Sequence, residues 1–276
     1  MARKRLTVAD IAELKGKRQL TMLRIFTIDE AAAAEESGID LVSAPPELVT
    51  NPKYRQYAPS LFTLTGTTHL EAGTPEEYLK VAGDLLNRGA DAIYCSGSIE
   101  TISYPAREYI PVVGHLGLVP ARVSWTGGYR AVGKTAEEAM ALYHEALRLE
   151  EAGAIAAEIE VVPVEVARTI SQRLKRLSLW SMGSGPDCDA QYLFAMDILG
   201  EHRGHMPRHS KVYRNFAVEY DRLQAERIAA FKEFRADVDA GQFPEEGHVV
   251  RMVPDQLESF MARLDGSLVD EAGDRP

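Results

Sequence analysis

Short apolar runs alternate with helix-period segments from residue 20 to residue 199, and this alternation constrains the fold more than any other feature of the chain. Runs at 20–26, 39–43, 61–66, 91–95, 112–115, 155–160 and 177–182 read as strands, with a fainter one at 196–199. The intervening segments carry helix-start chemistry. Thr74-Pro75-Glu76-Glu77 supplies an N-cap hydroxyl, a proline at the first helical position and a glutamate placed to close a capping box. Thr135 and Glu138 repeat the pairing, and Asp29 and Glu30 put negative charge at the start of an Ala-rich helix over 28–37. Strands separated by helices of about 10–15 residues call for parallel βαβ units. Eight such units make a (β/α)8 TIM barrel of the α/β class, which takes roughly 250 residues. The chain has 276, so one barrel domain is predicted over 1–250, followed by an acidic tail over 251–276. A short N-terminal helix is expected over 7–15 and a long C-terminal helix over 210–239; a helix over 188–195 should precede the faint strand, and 47–60 reads as a polar loop.

The formal net charge of −10 argues against nucleic acid or an anionic membrane as partner, since either needs a basic surface. It leaves room for a small anionic substrate held by one or two arginines. The two cysteines, Cys95 and Cys188, make neither a disulfide framework nor a zinc motif. The opening Met1-Ala-Arg-Lys-Arg-Leu-Thr-Val8 lacks the apolar core of a signal peptide. No run reaches the ~18 apolar residues of a membrane span, and a cytoplasmic location is expected.

Function should sit at the carboxyl ends of the strands, where barrels of this kind place their chemistry. Glu160 ends the strand over 155–160 and reads either as a catalytic carboxylate or as a cap for the following helix. Arg24, near the end of the first strand, is either a rim arginine or a clamp for a substrate carboxylate. Tyr94 stands at the mouth of the fourth strand, where a phenol can donate to a developing oxyanion or simply pack. Thr67 and Ser96 offer hydroxyls to a substrate, although hydroxyls line most loops.

Several segments together resemble a known family. They are Ile110-Pro-Val-Val-Gly-His-Leu-Gly-Leu-Val-Pro120, Trp125-Thr-Gly-Gly-Tyr-Arg-Ala-Val-Gly133, Glu150-Glu-Ala-Gly-Ala154 and Glu160-Val-Val-Pro-Val-Glu-Val-Ala167. The likeness is to ketopantoate hydroxymethyltransferase, of the phosphoenolpyruvate mutase/isocitrate lyase superfamily, and extends over about residues 17–250. It implies a barrel assembled into a homo-oligomer, a decamer in the family. It also implies an aldol addition of a one-carbon unit from methylenetetrahydrofolate to C3 of 2-oxoisovalerate, with magnesium holding the keto acid. Glu160 falls on the family's acid/base carboxylate and His115 on its active-site histidine. The family's metal-binding aspartates fall instead on Ser43-Ala44 and on Gly66, and its Lys-x-Glu on Tyr94-Cys95-Ser96. The resemblance therefore predicts an enzyme that makes or breaks C–C bonds of a 2-keto acid, with no magnesium site and no cofactor expected. Glu160, His115 and Tyr94 would be catalytic, and Arg24, Ser43, Gly66, Thr67 and Ser96 would line the substrate pocket. A genuine ketopantoate hydroxymethyltransferase, or a barrel kept as a binding or structural subunit, are the alternatives.

Overall fold

Eight parallel strands close on themselves in sequence order in the computed structural model, which describes residues 3–66 and 72–273. They are β1 (Leu20–Arg24), β2 (Leu41–Ser43), β3 (Phe62–Thr65), β4 (Ala92–Tyr94), β5 (Val112–Gly117), β6 (Ala156–Glu160), β7 (Ser178–Met182) and β8 (Ala190–Phe194). β8 pairs with β1, Leu20 against Ala190 through Arg24 against Phe194, so no sheet edge is left open. The fold is a (β/α)8 barrel.

Alternation along each strand sorts the side chains into two cores. Leu20, Met22, Leu41, Phe62, Leu64, Ala92, Val113, Ala156, Trp180 and Tyr192 fill the interior. Val42, Ile93, Val112, Leu116, Ala157, Ile159 and Leu179 pack outward on the helices. The N-terminal helix, Val8–Leu14, adds Ile11 to the interior cluster. Its start is a capping box between Thr7 and Asp10; Thr27 with Glu30 and Thr74 with Glu77 open the helices Ile28–Ser37 and Pro75–Asn87 in the same way. Each such cap is worth about 1 kcal/mol.

The structure departs from the sequence reading at the last strand. Residues 190–194 form β8, and the following Ala195–Leu199 is the helix. The cause lies far off in sequence. The Asp189 carboxylate accepts from Leu179 N (2.8 Å), Gly16 N (3.0 Å) and Lys15 Nζ (2.9 Å), which fixes where β8 begins. Residues 47–60 also hold more order than a polar loop: one-turn helices Pro46–Val49 and Tyr54–Tyr57 bury Tyr54 against Thr63 (hydroxyls 2.8 Å apart). Arg55 ties that segment to the Leu61 carbonyl (2.8 Å) and to Asp91 (2.6 Å).

Two compact units divide the chain at Ala217 and Val218. The second holds most of the long helix Phe216–Asp239 and, where an acidic tail was expected, the helix Pro254–Gly273. Within it the Phe243 ring meets Phe234 and His248, each at 5.3 Å between centroids, and Arg251 pairs with Glu246 at 2.6 Å. Among the described residues no helix is long and apolar enough to cross a membrane.

Candidate active site

Successive inward positions of β6 are Ala156, Glu158 and Glu160, so two carboxyl groups share one face of the strand. Across the ladder His115 pairs with Glu158 and Gly117 with Glu160. The His115 imidazole, 3% exposed, is held by three neighbours. Its Nδ1 lies 2.7 Å from the Tyr94 hydroxyl and 3.7 Å from Glu158 Oε2, while Nε2 lies 3.2 Å from Glu160 Oε2. The Nε2 contact is short enough for a hydrogen bond but poorly aligned. Nε2 is thus the one buried side-chain nitrogen or oxygen among the described residues that lacks a hydrogen-bond partner.

Two backbone features hold this geometry. A Cβ on Gly117 (φ 81°) would stand 2.4 Å from the Glu160 carbonyl oxygen, so only glycine lets β5 and β6 close at the mouth. Directly after Glu160, Val161 has φ 49°, a left-handed conformation that is costly for a β-branched residue. The turn is pinned by Val161 N donating to the Met182 carbonyl (2.9 Å), and by Ser184 Oγ, which accepts from Val162 N (3.0 Å) and donates to the Ile159 carbonyl (2.8 Å). Glu160 therefore faces His115 across the mouth rather than capping the next helix.

The opposite wall is cationic and aromatic. Arg24 Nη1 donates to Ser43 Oγ (2.8 Å), and its guanidinium sits 5.2 Å from the centre of the Phe26 ring. Tyr192, on β8, is buried beside it. Burial drives the Glu158 carboxyl up to about 7; His115 opposes the shift, Glu160 adds to it and Arg24 opposes it. Burial, reinforced by Glu158, likewise holds the Tyr94 and Tyr192 phenols well above their ordinary range. Both tyrosines keep their protons at neutral pH.

Residues 68–246 fit the family model for ketopantoate hydroxymethyltransferase. The chain belongs to that family. A 3-methyl-2-oxobutanoate hydroxymethyltransferase of Hyperthermus butylicus is 34% identical over 270 residues, 89% of this chain and 90% of that one. The enzyme of the same name from Nitrosopumilus maritimus is 28% identical over 94% of this chain and 98% of its own length. Among solved structures, 2,3-dimethylmalate lyase, a PEP mutase/isocitrate lyase superfamily member, shares the fold with a TM-score of 0.50 at 15% identity, covering 97% of this chain and 99% of that one. Phosphonopyruvate hydrolase does so with 0.50 at 14%, over 95% and 98%. The chain is an enzyme of this hydroxymethyltransferase kind.

The structure gathers Arg24, Ser43, Tyr94, His115 and Glu160 at one end of the barrel. At or just after the ends of β2, β3 and β4, where the family resemblance would put metal-binding carboxylates, stand Ser43-Ala44, Gly66 and Ser96. A Cβ at Gly66 would stand 2.7 Å from the Tyr94 carbonyl oxygen, so that corner is closed to any side chain and Gly66 offers only backbone. Ser96 lies beside Tyr94, and its carbonyl accepts from Arg122 (3.2 Å). Thr67 falls outside the described residues. Among the described residues no group of three His, Cys, Asp or Glu side chains is arranged to hold a metal ion. The sequence reading passed over Glu158 and Tyr192. Glu158 had a usable signal, since a carboxyl two residues before Glu160 on a strand must point to the same side.

Proposed function

We propose that this enzyme makes or breaks a C–C bond beside the carbonyl of a 2-keto acid, as its hydroxymethyltransferase relatives are named for doing, but without a magnesium site. The observation that carries the reading is the unpaired, buried His115 Nε2 facing Glu160 across the mouth. Arg24 would pair with the substrate carboxylate. Glu160 would take the proton from the carbon next to the carbonyl; that C–H bond breaks, its electron pair moves to the carbonyl oxygen, and an enolate forms. Assigning the Tyr94 phenol as donor across its 2.7 Å contact with Nδ1 puts the imidazole hydrogen on Nε2, aimed at the developing oxygen. In the addition direction the enolate carbon bonds to formaldehyde, which hydrolysis of methylenetetrahydrofolate supplies in the family; the C=O π bond breaks, and the resulting alkoxide takes the proton held by Glu160 to become the hydroxymethyl group. Cleavage reverses the step.

The donor set supports the metal-free reading. Magnesium takes hard oxygen ligands, normally one or two carboxylates, and Ser43-Ala44, Gly66 and Ser96, none of them a carboxylate, stand at the three strand ends in question. Membership of the family favours the second reading, a genuine ketopantoate hydroxymethyltransferase that still uses magnesium. Deuterium exchange at C3 of 2-oxoisovalerate, followed by NMR in EDTA, separates them. Exchange should survive EDTA and fall by about 10²–10⁴-fold in Glu160→Gln. Exchange that returns only with added magnesium establishes the second reading, and none with any 2-keto acid overturns both.

The same proposal includes a homo-oligomer acting on a small-molecule substrate in the cytoplasm. The helix Phe216–Asp239 buries none of its residues, and Leu223, Phe231, Phe234 and Val238 lie exposed along it at helical spacing. Helices depend on packing for most of their stability, and another subunit would supply it.

A further inference from the structure

We infer that Glu158 is a catalytic acid of this site: a neutral carboxylic acid in the floor of the barrel mouth that donates a hydrogen bond to the substrate enolate oxygen, supplying polarisation a metal ion would otherwise give. The inference rests on the keto-acid reading above and assigns a role to a residue that reading does not use.

Barrel interiors of this type are filled mostly by branched apolar side chains, and Leu20, Met22, Leu41, Phe62, Leu64, Val113 and Trp180 make up much of the interior here. Glu158 breaks the pattern. Its side chain is 8% exposed, and among the described residues its carboxyl forms an ion-pair contact with His115 alone. The imidazole nitrogen of that contact, His115 Nδ1, is 3.7 Å away and already engaged by Tyr94 at 2.7 Å. Burying an ionised carboxylate without partners costs far more than burying the neutral acid. The groups that act on it come from every side of the mouth: Arg24 on β1, Tyr94 on β4, His115 on β5, Glu160 on β6 and Tyr192 on β8, with Trp180 its ladder neighbour on β7. Glu160 two residues on favours retention of the proton, whereas His115 and Arg24 oppose it; burial outweighs both and brings the group to about 7. An acid with that affinity is protonated in a large share of molecules at neutral pH. It becomes more so when an enolate develops nearby, because the new negative charge favours the neutral form.

The division of labour is then chemically balanced. Glu160 accepts the carbon-bound proton, the electron pair of that bond comes to rest on the keto oxygen, and Glu158 keeps its own proton while sharing it with that oxygen. A carboxylic acid held neutral in an apolar site donates a strong hydrogen bond of this kind.

Two measurements on the full chain test the role. In C3 exchange under EDTA, the wild-type rate should fall as pH rises from 6 to 9 through about 7, when Glu158 loses its proton. Glu158→Leu, which has no donor, should be slower by about 10²–10³-fold, the loss seen when one oxyanion donor is removed. Glu158→Gln, which keeps a donor but cannot titrate, should lose less rate than the leucine variant and lack the descending limb. The second readout needs no turnover. Oxalate, a planar enolate mimic, should bind wild type at pH 8 with uptake of up to one proton, read by calorimetry in buffers of different ionisation enthalpy, and bind Glu158→Gln with none. Exchange that is unaffected in Glu158→Leu, a descending limb that persists in Glu158→Gln, oxalate bound with no proton uptake, or no oxalate bound at all would each overturn the assignment. A wild type that exchanges no keto acid yet takes up a Glu158-dependent proton with oxalate sinks the keto-acid reading and leaves the acid role standing.

Discussion

Glu158 sets the pH behaviour of the fold as well as of the site. Its folded-state affinity for a proton is raised to about 7 from an ordinary 4.5. For an acid shifted this way the native state binds more protons than the unfolded chain between those values, so stability falls as pH rises through the window. The full contribution is present below about 4.5 and lost above about 7. Thermal unfolding of wild type and Glu158→Gln should therefore diverge with pH. The variant should gain on wild type by up to about 3 kcal/mol between pH 5 and pH 8, and parallel pH profiles would contradict a buried, shifted carboxyl. Tyr94→Phe tests the neighbouring contact. It removes the hydroxyl that contacts the imidazole at Nδ1, so exchange should fall roughly tenfold or more while affinity for the keto acid, which the proposed function assigns to Arg24, changes little.

The β5–β6 pair and the turn after it hold the Glu160 carboxyl in place. Gly117 admits no Cβ, and Val161 adopts a conformation its own side chain disfavours. Gly117→Ala should destabilise the barrel by about 2 kcal/mol or more, since positive φ costs roughly 1–2 kcal/mol for an L-residue before any clash with the Glu160 carbonyl is counted. Chemical denaturation checks it. Val161→Gly relieves the local conformation but frees the turn, so an activity loss without a matching loss of stability is expected. The alternation of strands with capped helices was legible in the residues, and seven strands fall where apolar runs place them. β8 did not, because its start depends on Asp189 reaching Lys15, Gly16 and Leu179, contacts with no trace in the local pattern. Tyr54 and Arg55 turned an apparent polar loop into an anchored segment for the same reason.

At the scale of the whole molecule, the exposed side chains of the helix Phe216–Asp239 bear on assembly. Phe231→Asp together with Phe234→Asp should shift the protein to a smaller species in light scattering and leave barrel circular dichroism unchanged; an unaltered mass would argue against that face as the subunit contact. The residues alone determined the eightfold alternation, the helix caps and the strand on which Glu160 falls, because periodicity and capping are local. They also carried the family, through segments whose spacing is specific. What only the tertiary structure decided is which groups share a volume. Tyr94, His115 and Glu158 come from three strands and meet only when the sheet closes. The proton affinity of Glu158 exists only inside that closed, poorly hydrated barrel, since burial is a property of the fold and of no single residue.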